Sequence, residues 1–116
     1  MQTLISCSFV CPGMTNCGEK ARRIAYAEDE PSARICTERY LQMLYGDAYQ
    51  IEVLTDGDAL SERLELELQE ETGLCIVLTD DIMPGINGVR VIAKYAPRMP
   101  NARFILYSGG RDITLE

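Results

Sequence analysis

Near the middle of the chain an apolar run, Leu74 to Thr79, stops on Asp80-Asp81, and Ile82-Met83-Pro84-Gly85-Ile86-Asn87-Gly88 then turns into a new periodic segment. A shorter apolar run, Ile24-Ala25-Tyr26-Ala27, stops in the same way on Glu28-Asp29-Glu30. In an open parallel α/β sheet, ligands and chemistry sit just beyond the carboxyl ends of the strands. Two strands that end on acids therefore bring three or more negative charges into one crevice. Two carboxylates ~4 Å apart repel by about 4 kcal/mol at an effective dielectric of 20. A site made of Glu28, Asp29 and Asp80 should take up a proton or a divalent cation. Taken singly, acids after strands are commonly just solvated loop ends. Their order along the chain is what gives them weight.

The elements that would position these acids follow from periodicity. Ile24 to Ala27 reads as a short buried strand. Pro31 fits a first helical position, where its missing N–H costs nothing. The helix that follows should carry Ala33, Cys36, Tyr40, Met43 and Leu44 on one side and stop at Gly46. Gln50 to Leu54 alternates as a strand. Asp56-Gly57-Asp58 offers an N-cap, and Leu60, Leu64 and Leu68 then form an i, i+4 stripe. Leu64-Glu65-Leu66-Glu67-Leu68 also alternates with period two, but the Leu/Glu helix propensity and the stop at Gly73 favour helix. Leu74 to Thr79 is unbroken and apolar, as a central parallel strand should be. Val89, Ile92, Ala93 and Ala96 mark a helix ended by Pro97, and Phe104 to Tyr107 a further strand. Asp112 to Glu116 reads as the first turn of another helix. The order is that of an α/β, doubly wound parallel sheet with right-handed crossovers.

Composition narrows the function. The chain has 116 residues, 47% hydrophobic and 25% charged, which suits one globular domain. Its net charge of −7 argues against nucleic acid or an anionic membrane as partner. It has no histidine, which excludes Ser-His-Asp and Cys-His catalysis, histidine metal ligation and a histidine phosphodonor within the chain. No apolar run approaches the ~18 residues of a membrane span. Of its five cysteines, Cys36 and Cys75 sit in apolar patterns and read as buried small hydrophobes. Cys7, Cys11 and Cys17 match no common zinc spacing. Reduced thiols in a cytoplasmic protein fit this usage. Residues 1–20 form an atypical Cys-containing N-terminal tail ahead of a domain spanning 21–116.

These residues resemble the receiver domain of two-component response regulators, over Arg22 to about Asp112. The likeness is carried by Glu28-Asp29 with Glu30-Pro31 after strand one, by Asp80…Met83-Pro84-Gly85…Gly88 after strand three, and by Ser108 after strand four. It implies a flavodoxin-like fold and a phosphoryl group accepted on Asp80 from a partner histidine kinase or phosphotransfer protein. Asp81 is the rival, but one register step turns its side chain to the other face. The resemblance further implies an Mg²⁺ cofactor held by Asp29, Asp80 and the Ile82 backbone carbonyl, with Glu28 acting mainly through water. Ser108 matches the switch hydroxyl and Gly109 the small residue that leaves room for phosphate. Such a domain is no enzyme beyond its own phosphorylation and dephosphorylation.

The chain also departs from the pattern. Receivers carry a lysine at the end of strand five, and neither Lys20 nor Lys94 is placed to match it. The usual last helix-strand-helix has no counterpart in the sequence. The alternative is a pseudo-receiver, a protein-interaction module without a working switch. A metal-dependent phosphohydrolase is weaker still, because Glu28-Asp29-Glu30 lacks its Asp-x-Asp pattern. Strand four should then be an exposed edge, open to homodimer pairing or to cover by the apolar tail segment Leu4 to Val10.

Overall fold

A computed structural model describes residues 22–108 and 111–114, with side chains described up to Tyr107. Strand β1 (Arg22–Ala27) is followed by helix α1 (Pro31–Tyr45), strand β2 (Tyr49–Leu54), helix α2 (Gly57–Glu70) and strand β3 (Leu74–Asp80). Helix α3 (Gly88–Tyr95), a short 3-10 turn (Ala96–Arg98) and strands β4 (Arg103–Ser108) and β5 (Arg111–Thr114) complete it. The sheet order is β2-β1-β3-β4-β5. The first four strands run parallel, and β5 runs antiparallel to β4. The fold is thus the doubly wound α/β sheet expected from the sequence.

Each helix begins where its sequence provides a cap. The Glu30 carboxylate accepts from the Ala33 N–H at 2.7 Å with Pro31 in the first turn, and Asp56 accepts from Ala59 N–H at 2.7 Å. Asn87 accepts from Arg90 N–H at 2.9 Å. Such contacts satisfy amide groups that a helix start leaves without partners, typically for ~1 kcal/mol each. The Leu64–Leu68 stretch is helical, with Leu60 and Leu64 fully buried. α2 stops before Gly73, because Glu71 itself adopts the left-handed conformation at φ 50°.

One face of the sheet makes the main core. Ala25, Ala27, Val77, Phe104 and Leu106 pack there against Leu60 and Leu64 of α2 and Val91, Ile92 and Tyr95 of α3. The opposite face meets α1, where Ile24, Tyr26, Leu41 and Tyr49 are buried.

Five expectations are corrected here. The α1 stripe is misplaced: Leu41 turns to the sheet, whereas Tyr40, Met43 and Leu44 are exposed at 58%, 71% and 50%. Cys36 is exposed rather than buried, and Cys75 is half-buried. On α3 the inward residues are Val91, Ile92 and Tyr95, while Val89 and Ala93 face out. The segment from Arg111 is a strand, not a helical turn, and it pairs with Ile105 to Ser108 of β4. The β4 edge expected to be open for homodimer pairing is occupied along that stretch. The tail segment Leu4 to Val10 lies outside the described residues.

Candidate functional site

The parallel pairing of β1 with β3 places Ala27 opposite Thr79, so both strands release their acids at the same end of the sheet. Glu28 is 4% exposed, while Asp29 and Asp80 are half-buried. One carboxylate oxygen from each lies within 4.8 Å of the other two. The sequence-predicted trio therefore converges. Among the described residues, no lysine or arginine side chain forms an ion pair with any of the three. Arg34 comes close, but its guanidinium donates to the backbone carbonyls of Glu28 and Asp29 at 3.1 and 3.2 Å. It braces the loop rather than its charges.

The electrostatic consequence is direct. Burial pushes the Glu28 carboxyl above its ordinary value, and Asp80 and Asp29 push it further; one hydrogen bond from the Glu30 amide opposes them. Burial likewise raises Asp80, against the pull of the Asp81 amide, and Asp29 and Asp81 add to the rise. The Asp81 N–H donates to Asp80 Oδ1 at 2.9 Å, which fixes the orientation of that carboxylate. Charge packed in this way and left without a cation favours either a proton or a metal.

Asp81 is placed differently. Its Oδ1 accepts from the Val89 N–H at 3.3 Å and its carbonyl from the Gly88 N–H at 2.8 Å. It caps the start of α3 instead of joining the trio. Ile82 follows with its side chain 78% exposed, and Met83 is buried beneath the loop. Gly85 adopts φ 83°, a region costly for other residues, which lets the loop reverse. Tyr107 pairs in register with Asp80, so Ser108 ends β4 at the same edge of the sheet as the acids. The Ser108 side chain and Gly109 lie outside what is described. The Lys94 ammonium stands 5.2 Å from the centre of the Tyr95 ring and makes no described ion pair with the acids. Lys20 lies outside the described residues.

Neither a protein-family profile nor a curated protein sequence matches the chain. Solved structures do. The receiver domain of the hybrid histidine kinase CckA is 26% identical, with 75% of each chain covered and a TM-score of 0.62. The fold is that of a response-regulator receiver domain. The non-phosphorylated HemR receiver domain from Leptospira biflexa superposes at a TM-score of 0.57, with 18% identity. It covers 75% of this chain and 64% of that one. A CheX-CheY complex with BeF₃⁻ and Mg²⁺ from Borrelia burgdorferi gives 0.59 at 18% identity, covering 75% of this chain and 61% of that one. Against both of these the receiver region spans less than two thirds of the matched chain.

Sequence reasoning named Gly57 and Gly88 but missed that they hold the Asp80 loop from outside. Gly57 donates its N–H to the Pro84 carbonyl at 3.1 Å, and a Cβ there would fall on the Ile86 carbonyl oxygen. A Cβ on Gly88 would fall on the Asp80 carbonyl oxygen. The two glycines follow N-cap residues Asp56 and Asn87, a local signal that was available. The close approaches themselves are tertiary.

Proposed function

We propose that this domain is a phosphoryl-accepting receiver that takes its phosphoryl group on Asp80 from a histidine kinase or phosphotransfer protein, with Mg²⁺ as cofactor. The observation that carries the reading is the convergence of Glu28, Asp29 and Asp80 within 4.8 Å, with their charges uncompensated by any described cation. The donor set is all oxygen, which suits Mg²⁺ over softer metals. Asp29, Asp80 and the Ile82 carbonyl would hold the ion, with Glu28 beside them. When bound, Mg²⁺ supplies charge neutralisation at the transferring phosphoryl group.

The chain's own residues do the rest by positioning. The Asp81 amide holds Asp80 Oδ1, so the carboxylate is presented in one orientation. An oxygen of Asp80 forms the new bond to phosphorus as the bond to the donor's imidazole nitrogen breaks. The bonding pair stays on that nitrogen. Ser108, at the end of β4, is the hydroxyl assigned to the phosphoryl oxygens, with Gly109 leaving space beside it. The domain is a phosphoacceptor, and its catalysis extends at most to its own phosphorylation and dephosphorylation. A cytoplasmic location accords with such a partner. No helix among the described residues is long and apolar enough to cross a membrane.

One observation favours a second reading. Lys94 stands on Tyr95, and no other described lysine exists to contact a phosphoryl group. A pseudo-receiver that binds partners without phosphorylation would need none. That contact is typically worth ~1.5–3 kcal/mol, so labelling should be slow or substoichiometric compared with a complete receiver.

The test is incubation with Mg²⁺ and acetyl phosphate, read by intact mass. One phosphoryl group should be added, only with Mg²⁺, and Asp80→Asn should abolish the addition while Asp81→Asn keeps it. No Mg²⁺-dependent addition in the wild type would leave the pseudo-receiver reading standing. Labelling that survives Asp80→Asn would overturn the assignment of the acceptor.

A further inference from the structure

We propose that Gly57, at the first position of α2, is a positioning residue for the carboxylate site, holding the loop between β3 and α3 so that Asp80 and the Ile82 carbonyl stand where the metal needs them. The inference rests on the reading of that site as an Mg²⁺ site.

The loop from Asp81 to Asn87 is pinned from two sides. On the α3 side, the Gly88 N–H donates to the Asp81 carbonyl at 2.8 Å, and Val89 N–H to Asp81 Oδ1 at 3.3 Å. On the α2 side, the Gly57 N–H donates to the Pro84 carbonyl at 3.1 Å. Gly57 is buried, and a Cβ added there would fall on the Ile86 carbonyl oxygen, with the Ile86 carbonyl carbon at 2.7 Å. Those atoms are backbone and cannot swing aside as a side chain would. Any side chain at 57 must therefore drive the Ile86 backbone and the start of α2 apart. Gly85 faces the same helix: a Cβ there would lie 2.7 Å from Asp58 Oδ1. The other end of the loop is anchored at Asp80 and Asp81 themselves, so a displaced Ile86 is transmitted along a short tether to the acids. α2 supplies no carboxylate to the trio. Its contribution is the flat surface that Gly57 creates.

The test separates position from stability. Gly57→Ala and Asp56→Ala are compared by chemical denaturation and by Mg²⁺ titration followed by NMR. Asp56→Ala removes the cap on the Ala59 N–H and weakens the start of α2 without intruding on the loop. Gly57→Ala should weaken Mg²⁺ binding by about tenfold or more, the scale seen when support for metal ligands is lost. Asp56→Ala should leave the affinity unchanged at a similar loss of stability. Equal Mg²⁺ affinity in wild type and Gly57→Ala overturns the proposal, as does an equal loss in both variants. If Gly57→Ala does not fold, Gly85→Ala replaces it: the loop's contact with α2 is then disturbed from the other side, by the cost of φ 83° for alanine and by a methyl against the Asp58 carboxylate, which can rotate away. It should bind Mg²⁺ about threefold more weakly or worse, as support for the ligands loosens, and wild-type affinity there overturns the proposal. If the wild type shows no Mg²⁺ binding sensitive to Asp29→Asn, the metal reading fails on its own. Loop placement is then read from the amide resonances of Asp81, Ile82 and Val89 in the metal-free protein. They should move in Gly57→Ala, or in Gly85→Ala in its place, and hold still in Asp56→Ala; failure to move overturns the positioning role.

Discussion

A buried acid lies beside each end of strand β3, Glu67 at its start and Glu28 at its finish, and the two ends treat it in opposite ways. At the start of the strand Glu67, 8% exposed, accepts from the amides of Thr72, Gly73 and Leu74 at 3.0, 3.2 and 3.2 Å. The Thr72 hydroxyl adds a bond at 2.6 Å and Arg63 one at 3.3 Å. Burial pushes this carboxyl up, but the bonds from Thr72 and the following amides outweigh it and hold it below its ordinary value. At the far end, Glu28 and Asp80 each accept one described amide and otherwise face other carboxylates, so both are raised. One acid is a bracket that ties the end of α2 to the start of β3. The others are left with unmet charge. A fold indifferent to chemistry would gain by satisfying or removing them, and that unmet demand is what the proposed Mg²⁺ site would answer.

The largest loss of stability should follow Glu67→Ala. It strands three amides in a mostly buried place, while Arg63 keeps Glu52 at 2.6 Å, and should cost about 3 kcal/mol or more, at about 1–3 kcal/mol for each buried donor left unsatisfied. A loss under ~1 kcal/mol in urea unfolding would show that the bracket is incidental. Asp80→Asn should act in the opposite direction. Without metal it removes mutual repulsion and should stabilise by about 0.5–2 kcal/mol, as relief of a strained site commonly does. Added Mg²⁺ should then raise the wild-type midpoint and leave that of Asp80→Asn in place.

The pH dependence separates the two ends again. Glu28 and Asp80 are raised in the folded state, so folding binds their protons more tightly than the unfolded chain does. Their contribution is fully present below the ordinary values of 4.5 and 3.8 and is lost as pH rises through the raised folded values. Glu67 is lowered, so its contribution is present above 4.5 and is lost as pH falls through its folded value. Metal-free protein should therefore gain stability on mild acidification from neutrality, then lose it on stronger acidification. Asp80→Asn should flatten the first limb and leave the second. Denaturation midpoints across the acid range check both limbs.

What was legible in the sequence was whatever a strand or helix end declares locally. Acids terminating apolar runs, Pro31, Asp56 and the Pro84-Gly85 turn placed the elements and, through the parallel order, brought Glu28, Asp29 and Asp80 together. The face of α1 was not legible. Its sheet side carries half-buried Arg34, Thr37 and Glu38 around Leu41, while its apolar residues Ile35, Tyr40, Met43 and Leu44 face out. A hydrophobic stripe names the inside only when the outside is polar. β5 was misread because its alternation is short. Yet Gly109-Gly110 between two paired segments is the composition of a two-residue hairpin loop. The Glu67 bracket and the Gly57 approach depend on residues brought together by folding, and no spacing rule reports them.

Asp81→Asn, with the smallest effect of these, tests the register at the acidic end. Asp80 and Asp81 are adjacent acids, but Asp81 Oδ1 is engaged by the Val89 amide at the start of α3 and does not join the trio. Asn retains an oxygen that can accept that amide, so Asp81→Asn keeps the cap and removes only a neighbouring charge. At an exposed helix start that charge is worth about 0.3–1 kcal/mol, and Mg²⁺ affinity should fall less than about threefold, which is under ~1 kcal/mol. Asp29→Asn, which removes an oxygen anion from the trio, should weaken Mg²⁺ much more in the same titration. Equal losses in the two variants would mean that both acids reach the ion, and β3 would have to present its end one residue out of the register described.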